Sequence, residues 1–271
     1  MFKKEVLIFL LRGLNLVMVS GIVKSLQKGI RIIDCLAKNG EMGVTDLSKE
    51  FGVSKSSIYN LLNTFAQNHW VEKNEITNKY KLGIRLFELG NIVREGFQLR
   101  EVAIPFMKEL VDKIGETVHL TVLDDGMVVY IESAQPGNKF SAVSLNERRV
   151  YMHCTGVGKA IMAFLKEEEI DKIIEEKGLP LFTANTIIDS DELKKELGNI
   201  RKRGYAIDDI EHEPGVRCVG VPIFNEKGEA FASMSLTGPS PRFSDEKIKE
   251  YADIMKEITV IISKKLGWKE C

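Results

Sequence analysis

Four groups of residues carry side chains suited to recognition or chemistry. Between positions 55 and 63, Lys55, Ser56, Ser57, Tyr59, Asn60 and Asn63 are interleaved with Ile58, Leu61 and Leu62. Helical spacing sends the apolar set inward, together with Phe65, and leaves the polar set on the outer surface. A cation for phosphate, with hydroxyl and amide groups for phosphates and base edges, is what a reader of the DNA major groove needs. The same pattern also serves an ordinary helical hairpin with a solvated face.

The other three groups lie in the second half of the chain. His153-Cys154-Thr155-Gly156-Val157-Gly158-Lys159 leads through small residues into a helix. It departs from the phosphate-binding pattern G-x-x-x-x-G-K-S/T, which needs glycine at 153 and a hydroxyl residue at 160. It is either a helix start whose unpaired N–H groups and dipole favour an anion or simply a close-packed one. Asp208-Asp209, a flexible Glu211-His212-Glu213-Pro214-Gly215 and Cys218 could line the mouth of a pocket. Ser235 and Thr237, two apart on a strand, present both hydroxyls to one face. A carboxylate held by helix N–H groups and two hydroxyls is chemically sensible.

Catalysis is the competing class. Cys154, Cys218, His119, His153 and His212 could supply a thiol nucleophile and base, or metal ligands, but none sits in a local signature. A buried cysteine commonly acts as a small hydrophobe. The expectation is therefore no enzyme, no metal and no cofactor. The four cysteines lack C-x-x-C spacing, which argues against a disulfide framework or a zinc ribbon and suits a reducing cytoplasm.

The elements that position these groups can be read in chain order. Residues 23–38 form an amphipathic helix through Ile22, Leu26, Ile30, Ile33, Leu36 and Ala37, ended at Asn39-Gly40. A short helix follows, N-capped by Thr45 and burying Leu47 and Phe51. Gly52 then frees the turn, and Ser54 N-caps the helix that carries the polar face. Residues 69–73 and 79–83 form a hairpin around a polar turn. Helix, helix, recognition helix and hairpin make a winged helix-turn-helix, with Lys73 and Lys79 of the wing placed to reach phosphates. The same unit also occurs as a protein-interaction module. Residues 83–98 form a connecting helix with an apolar stripe at Ile84, Phe87, Leu89, Ile92 and Val93; its partner is the neighbouring domain or the same helix of a second subunit. Beyond it, a helix over 99–114 interrupted by Pro105, a hairpin over 117–132, strands near 140–145, 204–207, 217–224 and 230–237, and helices from 155, over 190–203 and after Ser244 describe an α+β domain.

Charge agrees with this division. Residues 21–82 carry nine basic and six acidic side chains, whereas the chain from 83 onward carries 26 basic and 32 acidic ones. A mildly basic head on an acidic body fits a head that meets phosphate and a body that does not. Residues 1–20 are apolar but broken by Arg12, Gly13 and Asn15, too short to span a bilayer and without a small-residue cleavage site. Translation is expected to start at Met18, with residues 1–17 an upstream extension, and no membrane partner is expected.

Residues 18–267 resemble the IclR family of bacterial transcription regulators. The marks are M-V-S-G-I-V-K-S-L-Q-K-G-I-R-I-I, G-V-S-K-S-S-I-Y-N-L-L-N-T-F and K-Y-K-L-G in the head. In the body they are G-E-T-V-H-L, H-C-T-G-V-G-K-A-I-M-A, R-K-R-G-Y-A-I-D-D, G-V-R-C-V-G-V-P-I-F and S-M-S-L-T-G-P. The resemblance implies a winged helix-turn-helix (18–82), a linker and dimerisation helix (83–98) and a GAF-like effector-binding domain (99–271). It implies a homodimer or tetramer that binds double-stranded operator DNA and responds to a small-molecule effector; the expectation is a repressor that senses a small organic acid, the sequence itself leaving repression and activation open. DNA contacts then fall to Ser54, Lys55, Ser56, Ser57, Tyr59, Asn60, Asn63, Lys73 and Lys79. Effector contacts fall to Gly156, Val157, Asp208, Val216, Cys218, Ser235 and Thr237. The helix start C-T-G-V-G and Gly220 depart from the commoner Ser-Ala and Ala of the family, so effector identity does not carry over.

Overall fold

The computed structural model describes residues 22–95, 98–137, 139–140 and 149–269. The proposed extension 1–17 and most of the strand expected over 140–145 lie outside them. The chain divides into two compact units with the boundary after Gly90.

The first unit holds α1 (Lys24–Asn39), β1 (Met42–Gly43), α2 (Val44–Phe51), α3 (Lys55–Gln67), β2 (Val71–Lys73) and β3 (Lys79–Leu82). The three strands pair antiparallel in the order β1-β3-β2, so the wing gains a short third strand ahead of α2. Its core is Ile32, Leu36, Leu47, Ile58, Leu62, Val71 and Tyr80. Gly52 takes the left-handed conformation at φ 61° and its N–H returns to Ser48 O, closing α2. Ser54 caps α3, its Oγ accepting from Ser57 N at 3.4 Å.

Two expectations are corrected here. Thr45 does not cap α2: the helix starts earlier, with Gly43 as cap and Asp46 Oδ2 accepting from Gly43 N at 3.3 Å. Along α1 the buried face is Gly29, Ile32 and Leu36, whereas Ile22, Leu26 and Ile30 are exposed. The reason is Gly29: a β-carbon there would meet Phe65 Cζ at 3.0 Å, so α3 approaches α1 along the glycine side.

α4 (Ile84–Glu95) follows the wing, with Ile84, Phe87, Ile92 and Val93 exposed. In the second unit α5 (Gln98–Ile114) runs as one helix through Pro105. The strands are β4 (Thr117–Asp124), β5 (Met127–Gln135), β6 (Lys139–Phe140), β7 (Arg149–Tyr151), β8 (Ala206–Asp209), β9 (Val216–Phe224) and β10 (Ala230–Pro239). They form one antiparallel sheet in the order β6-β5-β4-β10-β9-β8, with β7 also on β5. The helices are α6 (Gly156–Met162), α7 (Glu167–Lys177), α8 (Ser190–Arg203) and α9 (Asp245–Lys265). α7 and β7 were not anticipated. Among the described residues, no helix is long and apolar enough to cross a membrane.

The period of two along each strand splits this sheet into unlike faces. Val118 and Leu120 of β4, Val219, Val221 and Ile223 of β9, and Ala232, Met234 and Leu236 of β10 pack with α5 and α9 into one core. Their neighbours His119, Thr121, Cys218, Gly220, Ser233, Ser235 and Thr237 are small or polar and occupy the opposite face. A second core, built from α6, α8, Val128, Val150 and Met152, covers the rest of that side.

Candidate functional sites: an exposed recognition face and a cavity under a helix start

In the first unit, Ser54, Lys55, Ser56, Ser57, Tyr59, Asn60 and Asn63 are all exposed along α3. They are held there because Ile58 and Leu62 are fully buried beneath them. The hydroxyls of Ser54 and Ser57 lie 2.9 Å apart and those of Ser54 and Ser56 3.2 Å, a cluster of donors at the start of α3. On the wing, Lys73 pairs with Glu75 at 3.2 Å and Lys81 with Glu72 at 3.2 Å. Such exposed pairs hold little energy and can be exchanged for phosphate contacts.

In the second unit, strand register assembles the cavity. Thr117, Thr237, Cys218 and Asp208 stand opposite one another in one cross-strand row, and His119, Ser235 and Gly220 in the row beside it. The start of α6 lies over these rows. Two glycines allow the approach: a β-carbon on Gly220 would overlap the Gly156 carbonyl, and one on Gly158 would overlap the Met152 backbone. Thr155 caps α6, accepting from Gly158 N at 3.1 Å, and Ser233 Oγ donates to Val157 O at 3.0 Å, fastening the helix to the sheet.

Between α6, the sheet and the loop after β8 is a cavity of about 150 Å³. All seven residues expected to contact an effector (Gly156, Val157, Asp208, Val216, Cys218, Ser235 and Thr237) line it. His119, Tyr130, Val150, Thr155, His212 and Glu213 complete the wall. Of these, His119 was legible from the alternation along β4, and Thr155 from its place ahead of the glycines. Tyr130 and Val150 carry no signal in the sequence, because the pairing of β5 with β4 and β7 brings them in.

The electrostatics of the cavity are set by burial. Asp208 is pushed up to about 7, first by burial and then by the nearby Glu211 carboxylate, against the backbone N–H groups of Glu211 and His212 and the charge of Lys159. Burial pushes the Cys218 thiol well up, with the Asp208 charge adding to it. Thr237 Oγ1 donates to Cys218 Sγ at 3.2 Å. His119 is brought down to about 4 by burial, so it is neutral at pH 7, and it shares a 2.6 Å hydrogen bond with Ser133 Oγ. Cys154, with His212 Nδ1 3.7 Å away, is pushed up to about 12, mainly by burial. A thiol so raised is a poor nucleophile. Among the described residues, no group of three or more His, Cys, Asp or Glu is placed to hold a metal ion.

Beside the cavity lies a buried ion pair that sequence reasoning missed. Lys159 Nζ contacts Glu211 Oε1, with both side chains almost wholly buried. The loop after β8, read from sequence as flexible, is clamped. Asp208 Oδ1 accepts from Glu211 N at 2.7 Å, Thr183 Oγ1 donates to Ile210 O at 2.6 Å, and Thr186 Oγ1 donates to Glu211 O at 2.6 Å. These bonds hold Ile210 at φ 60°, a conformation unfavourable for a β-branched residue. The clamp comes from residues 183–186, a stretch without periodicity.

Comparison with known proteins gives the same two-part division. The family description "IclR helix-turn-helix domain" matches residues 25–75, and "Bacterial transcriptional regulator IclR C-terminal" matches residues 93–264. The HTH-type transcriptional regulator XynR of Escherichia coli K12 is 32% identical over 250 residues, covering 91% of this chain and 98% of that protein. The transcriptional repressor IclR of the same organism is 32% identical over 248 residues, covering 89% and 90%. The crystal structure of the Thermotoga maritima IclR aligns with a TM-score of 0.73 and 35% identity, covering 91% of this chain and all of that one.

Proposed function

The chain belongs to the IclR family of bacterial transcription regulators, and from that premise we propose that it is a repressor whose grip on operator DNA is altered by a small carboxylic acid in the cavity under α6. Lys55, Ser56, Ser57, Tyr59, Asn60 and Asn63 read the major groove from α3, Ser54 holds the helix start, and Lys73 and Lys79 meet backbone phosphates from the wing. The effector is contacted by Gly156, Val157, Asp208, Val216, Cys218, Ser235 and Thr237.

The observation that carries this reading is the cavity. It is small, at about 150 Å³; it is lined by paired hydroxyls, and the backbone of Gly156 and Val157 opens a helix over it. Those groups suit an acid of a few carbon atoms or a single ring. The protein acts as a homodimer or tetramer in the cytoplasm, with residues 18–82 as the DNA-binding head, 83–98 as linker and 99–271 as effector domain. The exposed Phe87, Ile92 and Val93 of α4 are the apolar surface a second subunit would cover, and a dimer would set two recognition helices on successive turns of one duplex.

The mechanism is linkage. An effector shifts operator affinity only by its differential affinity for the DNA-competent and DNA-incompetent arrangements, a coupling of about 1–3 kcal/mol. The test is a fluorescence-anisotropy titration of the DNA upstream of the protein's own gene at two salt concentrations, followed by small carboxylic acids added to the complex. Tight, salt-sensitive binding that one acid shifts is the expected result. Binding that no acid shifts would overturn the effector assignment, and no binding at low salt would overturn the choice of operator.

A further inference from the structure

We propose that the cavity takes up its acid together with one proton, held by Asp208. This rests on the acid-effector reading above and names what that site must do to admit an anion. Among the described residues lining the cavity there is no Lys or Arg. Its ionisable walls are Asp208, Glu213, His119, His212, Cys218 and Tyr130, and burial keeps His119 neutral. A carboxylate entering beside an ionised Asp208 would set two like charges together in a desolvated space.

The neighbours of Asp208 offer no remedy. From the loop that follows it, the N–H groups of Glu211 and His212 both bond Oδ1, at 2.7 and 3.4 Å. From β9 comes the Cys218 thiol, directly across the strand pair from Asp208. From the α6 side come Cys154 and Lys159, whose ammonium is already in contact with Glu211. With Oδ1 occupied by two backbone donors, a proton on Asp208 belongs on Oδ2. From there it donates to an oxygen of the bound carboxylate, a charge-assisted hydrogen bond. The balance is one anion and one solvent proton bound for each cavity filled. Asp208 is already pushed up to about 7, so little work is needed to protonate it near neutral pH. Affinity for the acid is then level well below pH 7 and falls about tenfold per pH unit above it.

The experiment is isothermal titration of the full chain with formate, acetate, lactate and benzoate, and with acetamide, lactamide and benzamide. It is run at pH 6 and pH 8, and at pH 7.5 in two buffers of different ionisation enthalpy. The expected result is an acid whose Kd rises about tenfold from pH 6 to pH 8 with net proton uptake at pH 7.5. In Asp208→Asn, whose amide oxygen still accepts from Glu211 N and His212 N, the pH step disappears. Ser235→Ala weakens binding and keeps the step, which separates loss of a contact from loss of the proton site. His212→Gln also keeps the step, whatever it does to affinity. A step that survives in Asp208→Asn and vanishes in His212→Gln would put the proton on the imidazole and overturn the proposal. Acid binding with one Kd at both pH values and no proton uptake would also overturn it, leaving the acid-effector reading intact. If no acid binds at pH 6, the reading and the proposal fall together.

Discussion

Gly220 of β9 and Gly156 of α6 approach so closely that a β-carbon on Gly220 would overlap the Gly156 carbonyl, whereas one on Gly156 would sit 3.3 Å from Gly220 N and 3.4 Å from Cys218 Cβ. The two positions are therefore unequal. Gly220→Ala must displace the start of α6 and with it one wall of the cavity, at a cost of about 1–3 kcal/mol typical of overpacking. Gly156→Ala needs a shift of only a few tenths of an ångström. Thermal denaturation should place Gly220→Ala clearly below Gly156→Ala, and equal melting temperatures would refute the asymmetry.

The Lys159–Glu211 pair leads to a second prediction. Lys159→Met leaves the Glu211 carboxylate buried without its cation and should cost about 3–5 kcal/mol in urea denaturation. Lys159→Met combined with Glu211→Leu removes both charges and should recover most of that loss. A double variant no more stable than the single one would mean that the pair acts through geometry rather than charge compensation.

Asp208 also sets a pH dependence of folding without any ligand. Its folded value of about 7 lies above that of an unfolded aspartate, roughly 3.9. The folded state therefore holds the proton more tightly. The stability this contributes is complete below the unfolded value and is lost as pH rises through about 7. Between pH 5 and pH 8 the urea midpoint of the unaltered chain should fall more than that of Asp208→Asn. Parallel curves would show that Asp208 titrates as an ordinary surface carboxyl.

On the wing, Lys79 is exposed, while Lys73 and Lys81 each face a glutamate. Lys79→Ala should lower the slope of log affinity against log salt by about one and weaken all DNA sequences alike. A loss confined to one operator sequence would assign Lys79 to a base rather than a phosphate.

Much of this molecule was legible because local signals agreed. Gly52 and Ser54 mark the turn and cap of the helix-turn-helix, Asp125-Gly126 marks the β4–β5 hairpin, and Ser244 marks the start of α9. Ser235 and Thr237 could be placed on one face because a strand alternates strictly. What escaped depended on contacts distant in sequence. Thr45 looked like a cap until Asp46 reached back to Gly43 N. The apolar residues of α1 run round more than one face, so spacing could not say which face Gly29 would turn toward Phe65. The Lys159–Glu211 pair joins residues 52 apart in sequence, and the clamp on Ile210 comes from threonines in a stretch with no periodicity.

In the function proposed above, recognition of DNA and of the effector reside in separate parts of one chain and are linked. The most direct test measures both affinities in two variants, Ser57→Ala/Asn60→Ala and Asp208→Ala/Ser235→Ala, by anisotropy with operator DNA and by calorimetry with the acid that shifts it. The first variant should lose operator affinity, by about 1–3 kcal/mol per base contact removed, and keep its acid Kd. The second should keep operator affinity and lose both acid binding and the acid's effect on DNA. Equal damage to both affinities in both variants would contradict it.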